Sequence, residues 1–269
     1  MIIWDVIHML NAISLLSLTS FIVCISVGLI VYFEEVRYVF DNKLGKIFTL
    51  LCLSLAFFWA IIEFGYRSAN NFETAYFWVK LNIMWYFVIS FLLHFSLVFT
   101  ENYKILKNKL TYVIIYGPAL IFLIIDLTTN ELMTIPSKEY WGWSYGLPTN
   151  GMLHSLSSNW AAFNSIFCLY IFVDYIIKTR HTNKKKHAGY AIVGVLIPIA
   201  IGLHTEWLFP LLSIKFPELI VPALTSGFVI IWYSIWVYEP IKNKKRYNTI
   251  RKEVDILFKK IKKRDTKLL

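Results

Sequence analysis

The sequence predicts an all-α integral membrane bundle of seven transmembrane helices, with the N-terminus outside the cell and the C-terminus in the cytoplasm. Of the 269 residues, 57% are hydrophobic and only 16% are charged, whereas about a quarter of a soluble domain is charged. Seven stretches are apolar enough to cross a hydrocarbon core, which takes roughly 20 helical residues. Basic residues concentrate on one side of these stretches. Lipid is therefore the solvent for most of the chain.

The predicted spans follow one another along almost the whole chain. In order they are Leu10–Phe33, Lys46–Tyr66, Thr74–Phe99, Leu110–Leu127, Trp160–Ile177, Gly189–Leu208 and Leu219–Tyr238. The first has no basic segment before it and no small-residue cleavage site after it, so we interpret it as a retained span. The sixth contains Pro198 and Gly202, which membrane helices tolerate where neighbouring groups bond the freed carbonyl.

The connections between the spans differ in charge. One side carries Arg37, Lys43, Lys46, Lys104, Lys107, Lys109, Lys178, Arg180 and Lys184 to Lys186. The other side carries only Arg67, Lys138 and Lys215. Lys and Arg resist translocation, so the basic side is predicted to be cytoplasmic. An odd number of spans then places the N-terminus outside.

Two domains follow from this organisation, a transmembrane domain over 1–240 and a basic cytoplasmic tail helix over 241–269. The longest external segment of the first domain, 128–159, alternates turn formers with aromatic residues. They are Pro136, Tyr140, Trp141, Trp143, Tyr145, Pro148 and Gly151. This pattern favours a folded cap, with a short hairpin as one form of it, over an open loop.

The tail contains twelve basic and three acidic residues, so it holds nine of the ten net positive charges of the chain. One interpretation is a polybasic anchor on anionic lipid headgroups. The spacing of its apolar residues indicates a second, a helix that pairs with its copy in a homodimer through an a/d seam. The seam residues are Tyr247, Ile250, Val254, Leu257 and Ile261. A basic amphipathic helix lying on the membrane has a similar pattern.

Ionisable residues inside spans are costly and are candidates for function. Glu63 and Lys80 fall at similar depth in the second and third spans, which a short connection joins, so we expect them to pair. With the residues around them they define a predicted outward-facing ligand pocket beneath the cap. The candidate ligand-binding residues are Trp59, Glu63, Trp78, Lys80, His204, Glu206 and Trp207. The alternative is an ion pair that locks two helices, with the other side chains reaching the interface.

We identify no catalytic residue, no metal-ligand set and no cofactor motif in the sequence. The three cysteines, Cys24, Cys52 and Cys168, lie in separate apolar runs, where they are expected to pack as small apolar side chains. None of the six histidines lies in the tail. The chain is therefore predicted not to be an enzyme and not to bind nucleic acid.

Four segments are rich in aromatic residues or combine them with polar ones: LCLSLAFFWAIIEFGYRSAN from Leu51, FETAYFWVKLNIMW from Phe72, HFSLVFTENYKILKNK from His94 and EYWGWSYGLPTNGMLH from Glu139. These segments resemble the N-terminal seven-helix sensor region of membrane histidine kinases of archaea and bacteria. The resemblance extends to about Pro240. It implies a module that senses an external or intramembrane cue and passes it to a cytoplasmic kinase or other output protein, as part of a two-component system. In that family a kinase domain usually follows the spans. This sequence has a short basic helix there and no kinase domain, as expected of either a fragment or a stand-alone member.

The predicted function is therefore a multi-pass cell-membrane sensor that transmits its cue through span seven and the tail helix. Two alternatives stay open: a transporter or channel for small solutes or ions, and a membrane assembly partner. A transporter would use Glu63, Lys80 and His204 along a path, and it would need polar groups that continue to the cytoplasmic side.

Overall fold

Seven helices and one β-hairpin make up the part of the chain that the computed structural model describes, which is residues 11–37, 43–129, 131–132, 134–148, 150–209 and 212–234. The helices are α1 Ala12–Arg37, α2 Lys43–Arg67, α3 Phe72–Phe99, α4 Lys109–Thr129, α5 Gly151–Lys178, α6 Thr182–Gly202 and α7 Ile220–Ser234. A single turn, Tyr103–Leu106, connects α3 to α4. The first six are each long and apolar enough to cross a membrane, so the chain is a multi-pass membrane protein. The predicted seventh span is described only over α7.

Three irregular segments interrupt these helices. A π-helical segment, Ala56–Ala60, lies within α2, and a 3₁₀ turn, Asn82–Met84, lies within α3. A second π-helical segment, Leu203–Leu208, continues α6. Single-turn π-helical segments occur often at functional sites, and a 3₁₀ stretch inside a helix often marks a hinge or local strain.

The strands β1 Thr134–Glu139 and β2 Gly142–Pro148 form an antiparallel hairpin. This confirms the hairpin expected within 128–159. We call the end of the bundle that contacts this hairpin the hairpin end. The remaining part of the segment is largely helical, since α5 begins at Gly151 and the predicted start at Trp160 was wrong. The Asn150 side chain caps α5 by accepting hydrogen bonds from the N–H groups of Met152 and Leu153.

The centre of the bundle is an apolar core built mainly on α2 and α3. Its fully buried side chains include Phe48, Leu51, Leu55, Phe95 and Phe172. By contrast, α4 and α5 present many exposed apolar side chains, among them Val113, Ile114, Phe163 and Ile166. These outer faces are suited to contact with lipid, in which exposed apolar surface has no cost. Cys24, Cys52 and Cys168 are buried and form no disulfide among the described residues.

A close backbone contact joins α6 and α7. A β-carbon at Gly227 would lie 2.0 Å from the Gly194 carbonyl oxygen, and one at Gly194 would lie 2.6 Å from the Gly227 oxygen. Pro198 has no N–H to bond the Gly194 carbonyl four residues earlier, so this oxygen is free to face the neighbouring helix. Pro198, which the sequence analysis noted within span six, therefore lies one turn from a site where α6 packs closely on α7.

The predicted tail helix over 241–269 lies outside the described residues. The same is true of its proposed seam at Tyr247, Ile250, Val254, Leu257 and Ile261.

Candidate functional site

A buried ion pair lies at the hairpin end of α2. The Glu63 Oε1 atom is 3.0 Å from Nε of Arg67, one helical turn later, and the two side chains are 1% and 0% exposed. The Ser17 hydroxyl of α1 donates a hydrogen bond of 2.7 Å to the same carboxylate oxygen. Charge-assisted bonds of this kind compensate part of the cost of removing ions from water. The pair therefore ties α1 to the end of α2.

The same guanidinium reaches the start of α7. Nη2 of Arg67 donates to the backbone oxygen of Glu218 at 2.9 Å and to its carboxylate at 3.1 Å. Glu218 is 8% exposed and lies just before Ile220, the first residue of α7. Its other carboxylate oxygen accepts a hydrogen bond from the Ser144 hydroxyl of β2. One arginine thus connects α2 with the start of α7, and one serine connects that start with the hairpin.

A third carboxylate comes from the π-helical segment that continues α6. The Tyr145 hydroxyl of β2 donates a hydrogen bond to Oε2 of Glu206. Burial, followed by the carboxylates of Glu206 and Glu218, raises the pKa of Tyr145 well above its usual value, so this hydroxyl stays a donor. Glu206 also interacts electrostatically with Glu218, Glu63 and Arg67. We call Ser17, Glu63, Tyr66, Arg67, Ser144, Tyr145, Glu206 and Glu218 the polar cluster.

The hairpin is seated on the polar cluster by close backbone contact. Gly142 has a φ of +108°, and a β-carbon there would lie 2.4 Å from the carbonyl oxygen of Arg67, so both the turn and the contact require glycine. The Trp143 indole N–H donates to the Ala69 carbonyl at 2.9 Å. These contacts fix β2 over the end of α2, where Ser144 and Tyr145 reach the carboxylates.

Several aromatic side chains pack on the hairpin half of α2. The rings of Trp59 and Trp85 lie 5.2 Å apart, and the Trp78 indole packs on Gly65 so tightly that a β-carbon there would be 2.3 Å from it. The rings of Tyr66 and Tyr145 lie 6.2 Å apart. Trp59 and Trp78 are thus placed by packing in the same half of the bundle as Glu63.

The predicted Glu63–Lys80 ion pair is wrong. Glu63 pairs with Arg67, which continues α2 instead of lying in the connection, while Lys80 is partly exposed and forms no ion pair with any described residue. His204 is exposed and bonds the Ala200 carbonyl of its own helix at 2.7 Å, so it does not join Glu206. Trp207 belongs to the π-helical segment Leu203–Leu208.

The prediction missed Arg67, Glu218, Ser17, Ser144 and Tyr145. For Arg67 a signal was available, since Glu63 and Arg67 have the i, i+4 spacing that places opposite charges on one helix face. Glu218 carried no such signal, because its partner Arg67 lies 151 residues away in sequence.

Four buried polar atoms of the cluster have no hydrogen-bond partner among the described residues: Oε2 of Glu63, the Tyr66 hydroxyl, Nη1 of Arg67 and Oε1 of Glu206. Buried polar groups in proteins are nearly always bonded. Three carboxyl groups also face a single guanidinium. Within the described ranges, no group of three His, Cys, Asp or Glu residues is placed to hold a metal ion.

Comparison with protein families found a match over residues 16–241, to the model described as the N-terminal 7TM region of histidine kinase. The matched range contains every residue of the polar cluster and all the helices α1 to α7 except the first residues of α1. Comparison with curated proteins and with solved structures found no match.

Proposed function

We propose that this chain, which belongs to the family of N-terminal 7TM regions of histidine kinases, detects a cue at the hairpin end and passes it through α7 to a cytoplasmic output protein. The family makes the chain a membrane sensory module with a kinase or other cytoplasmic partner. The cue and the route of transmission are the parts that we propose.

We propose seven spans, with α7 extended to Leu219–Tyr238, the N-terminus outside and the boundary to the tail at 240. The support is the charge difference between the connections. At the hairpin end, Lys138 and Lys215 are the basic residues outside α2, whereas the opposite end carries Lys104, Lys107, Lys109 and further basic residues. Positive residues stay in the cytoplasm, so the hairpin is external in this proposal.

The proposal is supported by the two side chains that bind Glu218. Arg67 binds its backbone and its carboxylate, and Ser144 binds the other carboxylate oxygen. A displacement of the hairpin or of α2 must therefore either break these bonds or move the start of α7. Sensing requires two states that differ in affinity for the cue, and this junction is where two arrangements would differ.

Movement of α7 reaches the output through the tail in this scheme. A helix that continues α7 and pairs through Tyr247, Ile250, Val254, Leu257 and Ile261 would form a homodimer. Rotation or piston movement of α7 would then change the seam and, with it, the partner that the tail contacts.

The packing below the polar cluster favours a sensor over a transporter. Towards the opposite end the space between α2 and α3 is filled by Phe48, Leu51, Leu55 and Phe95, all fully buried. A solute path would need polar groups there. Buried hydroxyls at this level, such as those of Thr49 and Ser54, donate to backbone carbonyls. This largely apolar layer separates the polar cluster from the basic end.

Cysteine crosslinking in native membranes tests the proposal. Cys24, Cys52 and Cys168 are first replaced, and single cysteines are placed along the tail. We expect efficient crosslinks at 250, 254, 257 and 261, and weak ones at 252 and 259. Uniformly weak crosslinks would overturn output through a dimeric tail.

The same assay tests the junction. Glu218→Gln weakens the hold of Arg67 and is expected to change the crosslinking pattern, whereas Glu73→Gln, an exposed carboxylate in the first turn of α3, is expected to leave it unchanged. An unchanged pattern in Glu218→Gln would overturn the route through α7.

A further inference from the structure

The polar cluster holds more negative than positive groups. Glu63 and Glu218 pair with the Arg67 guanidinium, and Glu206 interacts with these three groups electrostatically. The other titratable groups around them are the Tyr66 and Tyr145 hydroxyls. If all three carboxyl groups were ionised, two negative charges would remain uncompensated in a buried region. Uncompensated buried charge is strongly unfavourable, and groups in such places bind or release a proton instead.

The bonding pattern indicates which carboxyl group carries the proton. Glu63 and Glu218 each pair with Arg67 and each accept a serine hydroxyl. Glu206 has no ion pair among the described residues, and its bonding partner is the neutral Tyr145 hydroxyl. Its Oε1 atom is buried and unbonded. Protonation at Glu206 therefore removes the charge of the carboxylate that has no ion pair with Arg67, and lowers the net charge of the four groups from two negative to one.

A second observation points to the same ligand. The Tyr66 side chain is completely buried, its hydroxyl has no hydrogen-bond partner among the described residues, and the Arg67 guanidinium lies 5.6 Å from its ring. Oε2 of Glu63, in a residue 1% exposed, also has no bonded donor. Both oxygens are acceptors that a carboxylic acid O–H can serve. With Glu206 protonated, the acid O–H adds a donor to Nη1 of Arg67 and the Tyr66 hydroxyl, the groups of the cluster that are buried without a bonded acceptor.

Glu206 can exchange protons with the medium at the hairpin end. It lies near the end of the π-helical segment Leu203–Leu208, and the residue is only partly buried although its Oε1 is covered. The proton comes from water and adds to a carboxylate oxygen, so no other bond is made or broken.

We propose that Glu206 is a proton-binding site and that its ionisation changes the position of the start of α7. In the protonated state, two carboxylates share Arg67 and the cluster is held together. Loss of the proton adds a negative charge that repels Glu218 and Glu63 in a medium that screens charges poorly, and Glu218 is joined to α7. The effect of this ionisation on α7 rests on the proposed function, because it makes the proton the cue or a co-regulator of the cue.

Infrared difference spectroscopy tests proton binding directly. The complete chain in phosphatidylcholine vesicles is compared in neutral and alkaline buffer. We expect a protonated-carboxyl C=O band at neutral pH that is lost in Glu206→Gln and kept in Glu73→Gln. Absence of the band from the unmodified chain, or its survival in Glu206→Gln, would overturn the site. If Glu206→Gln does not fold, Glu206→Asp replaces it. This variant retains the carboxyl group, so it should keep the band with a displaced titration midpoint.

Tail crosslinking at the two pH values tests the consequence for α7. We expect the crosslinking pattern to change with pH in the unmodified chain and to be independent of pH in Glu206→Gln. A pH response that persists in Glu206→Gln would overturn the coupling. Failure of the tail to crosslink at any pH contradicts the proposed output, whereas the infrared band reports the proton site regardless of that result.

Discussion

Nη2 of Arg67 lies 2.9 Å from the backbone oxygen of Glu218 and 3.1 Å from its carboxylate. This contact joins the last residue of α2 to the residues just before α7, across 151 positions of sequence. The backbone bond fixes the chain itself, and the carboxylate bond fixes a side chain that the hairpin also holds. Stability and signal transmission are therefore both expected to depend on the Arg67 side chain, which forms the two bonds.

Replacement of Arg67 by Met is expected to destabilise the chain strongly. The variant leaves Glu63 and Glu218 without their cation, and removal of one partner of a buried ion pair costs about 3–5 kcal/mol. We expect the free energy of unfolding to fall by that amount, measured by SDS titration in mixed micelles followed by circular dichroism. Lys80→Met is the matched control, because Lys80 is partly exposed and its loss should change stability by less than about 0.5 kcal/mol. Equal losses in the two variants would contradict the assignment of Arg67 as the partner of Glu63.

The contrast between Arg67 and Lys80 separates what the sequence could predict from what it could not. Six of the predicted spans match long apolar helices of the structure, because a run of apolar residues long enough to cross a bilayer is rare outside transmembrane helices. The partner of Glu63 was missed although its i, i+4 spacing was visible, because a basic residue at the end of an apolar run was counted as part of the connection. Only the continuation of α2 to Arg67 brings the guanidinium one turn from Glu63.

Loss of the Trp143 indole N–H is expected to loosen the hairpin. In Trp143→Phe the Ala69 carbonyl loses its donor, which costs about 1–3 kcal/mol where the group stays buried. We expect amide hydrogen exchange of β1 and β2 to accelerate about tenfold, since 1.4 kcal/mol corresponds to a factor of ten. Mass spectrometry of the complete chain in lipid measures the exchange. Tyr140→Phe, at a position 77% exposed in the turn between β1 and β2, should leave it unchanged, and similar exchange in both variants would refute the docking contact.

The proposed orientation predicts which ends of the bundle are reachable from outside the cell. Tyr140 in the hairpin is 77% exposed, and Ile105 at the opposite end is 48% exposed. In a cysteine-free background, Tyr140→Cys should react with an impermeant maleimide added to intact cells. Ile105→Cys should react only after permeabilisation, because the basic connections stay in the cytoplasm. The reverse labelling would invert the topology and place the polar cluster at the cytoplasmic end.

Residues of the π-helical segment show a second limit of sequence reasoning. His204 and Glu206 were assigned to one pocket because they lie at similar depth. The structure gives them different environments, since His204 bonds its own helix and Glu206 bonds the hairpin. The segment Leu203–Leu208 departs from the 3.6-residue period, so the face on which each side chain lies could not be read from spacing. Tyr145, its partner, was predictable as part of a hairpin but not as a ligand of Glu206.

The contact between Gly194 and Gly227 predicts a steric control over α7. In Gly227→Ala the new methyl group would lie 2.0 Å from the Gly194 oxygen, so α6 and α7 must move apart. Overpacking of this kind costs about 1–3 kcal/mol, which the SDS titration should detect. Gly189→Ala, on the same helix as Gly194 but with open space around it, should be neutral or stabilising by up to about 1 kcal/mol, since alanine favours helix. Because α7 is the proposed route to the output, Gly227→Ala should also change the tail crosslinking pattern while Gly189→Ala should not. A stable Gly227→Ala variant with an unaltered pattern would show that the spacing of α6 and α7 is not part of the signal.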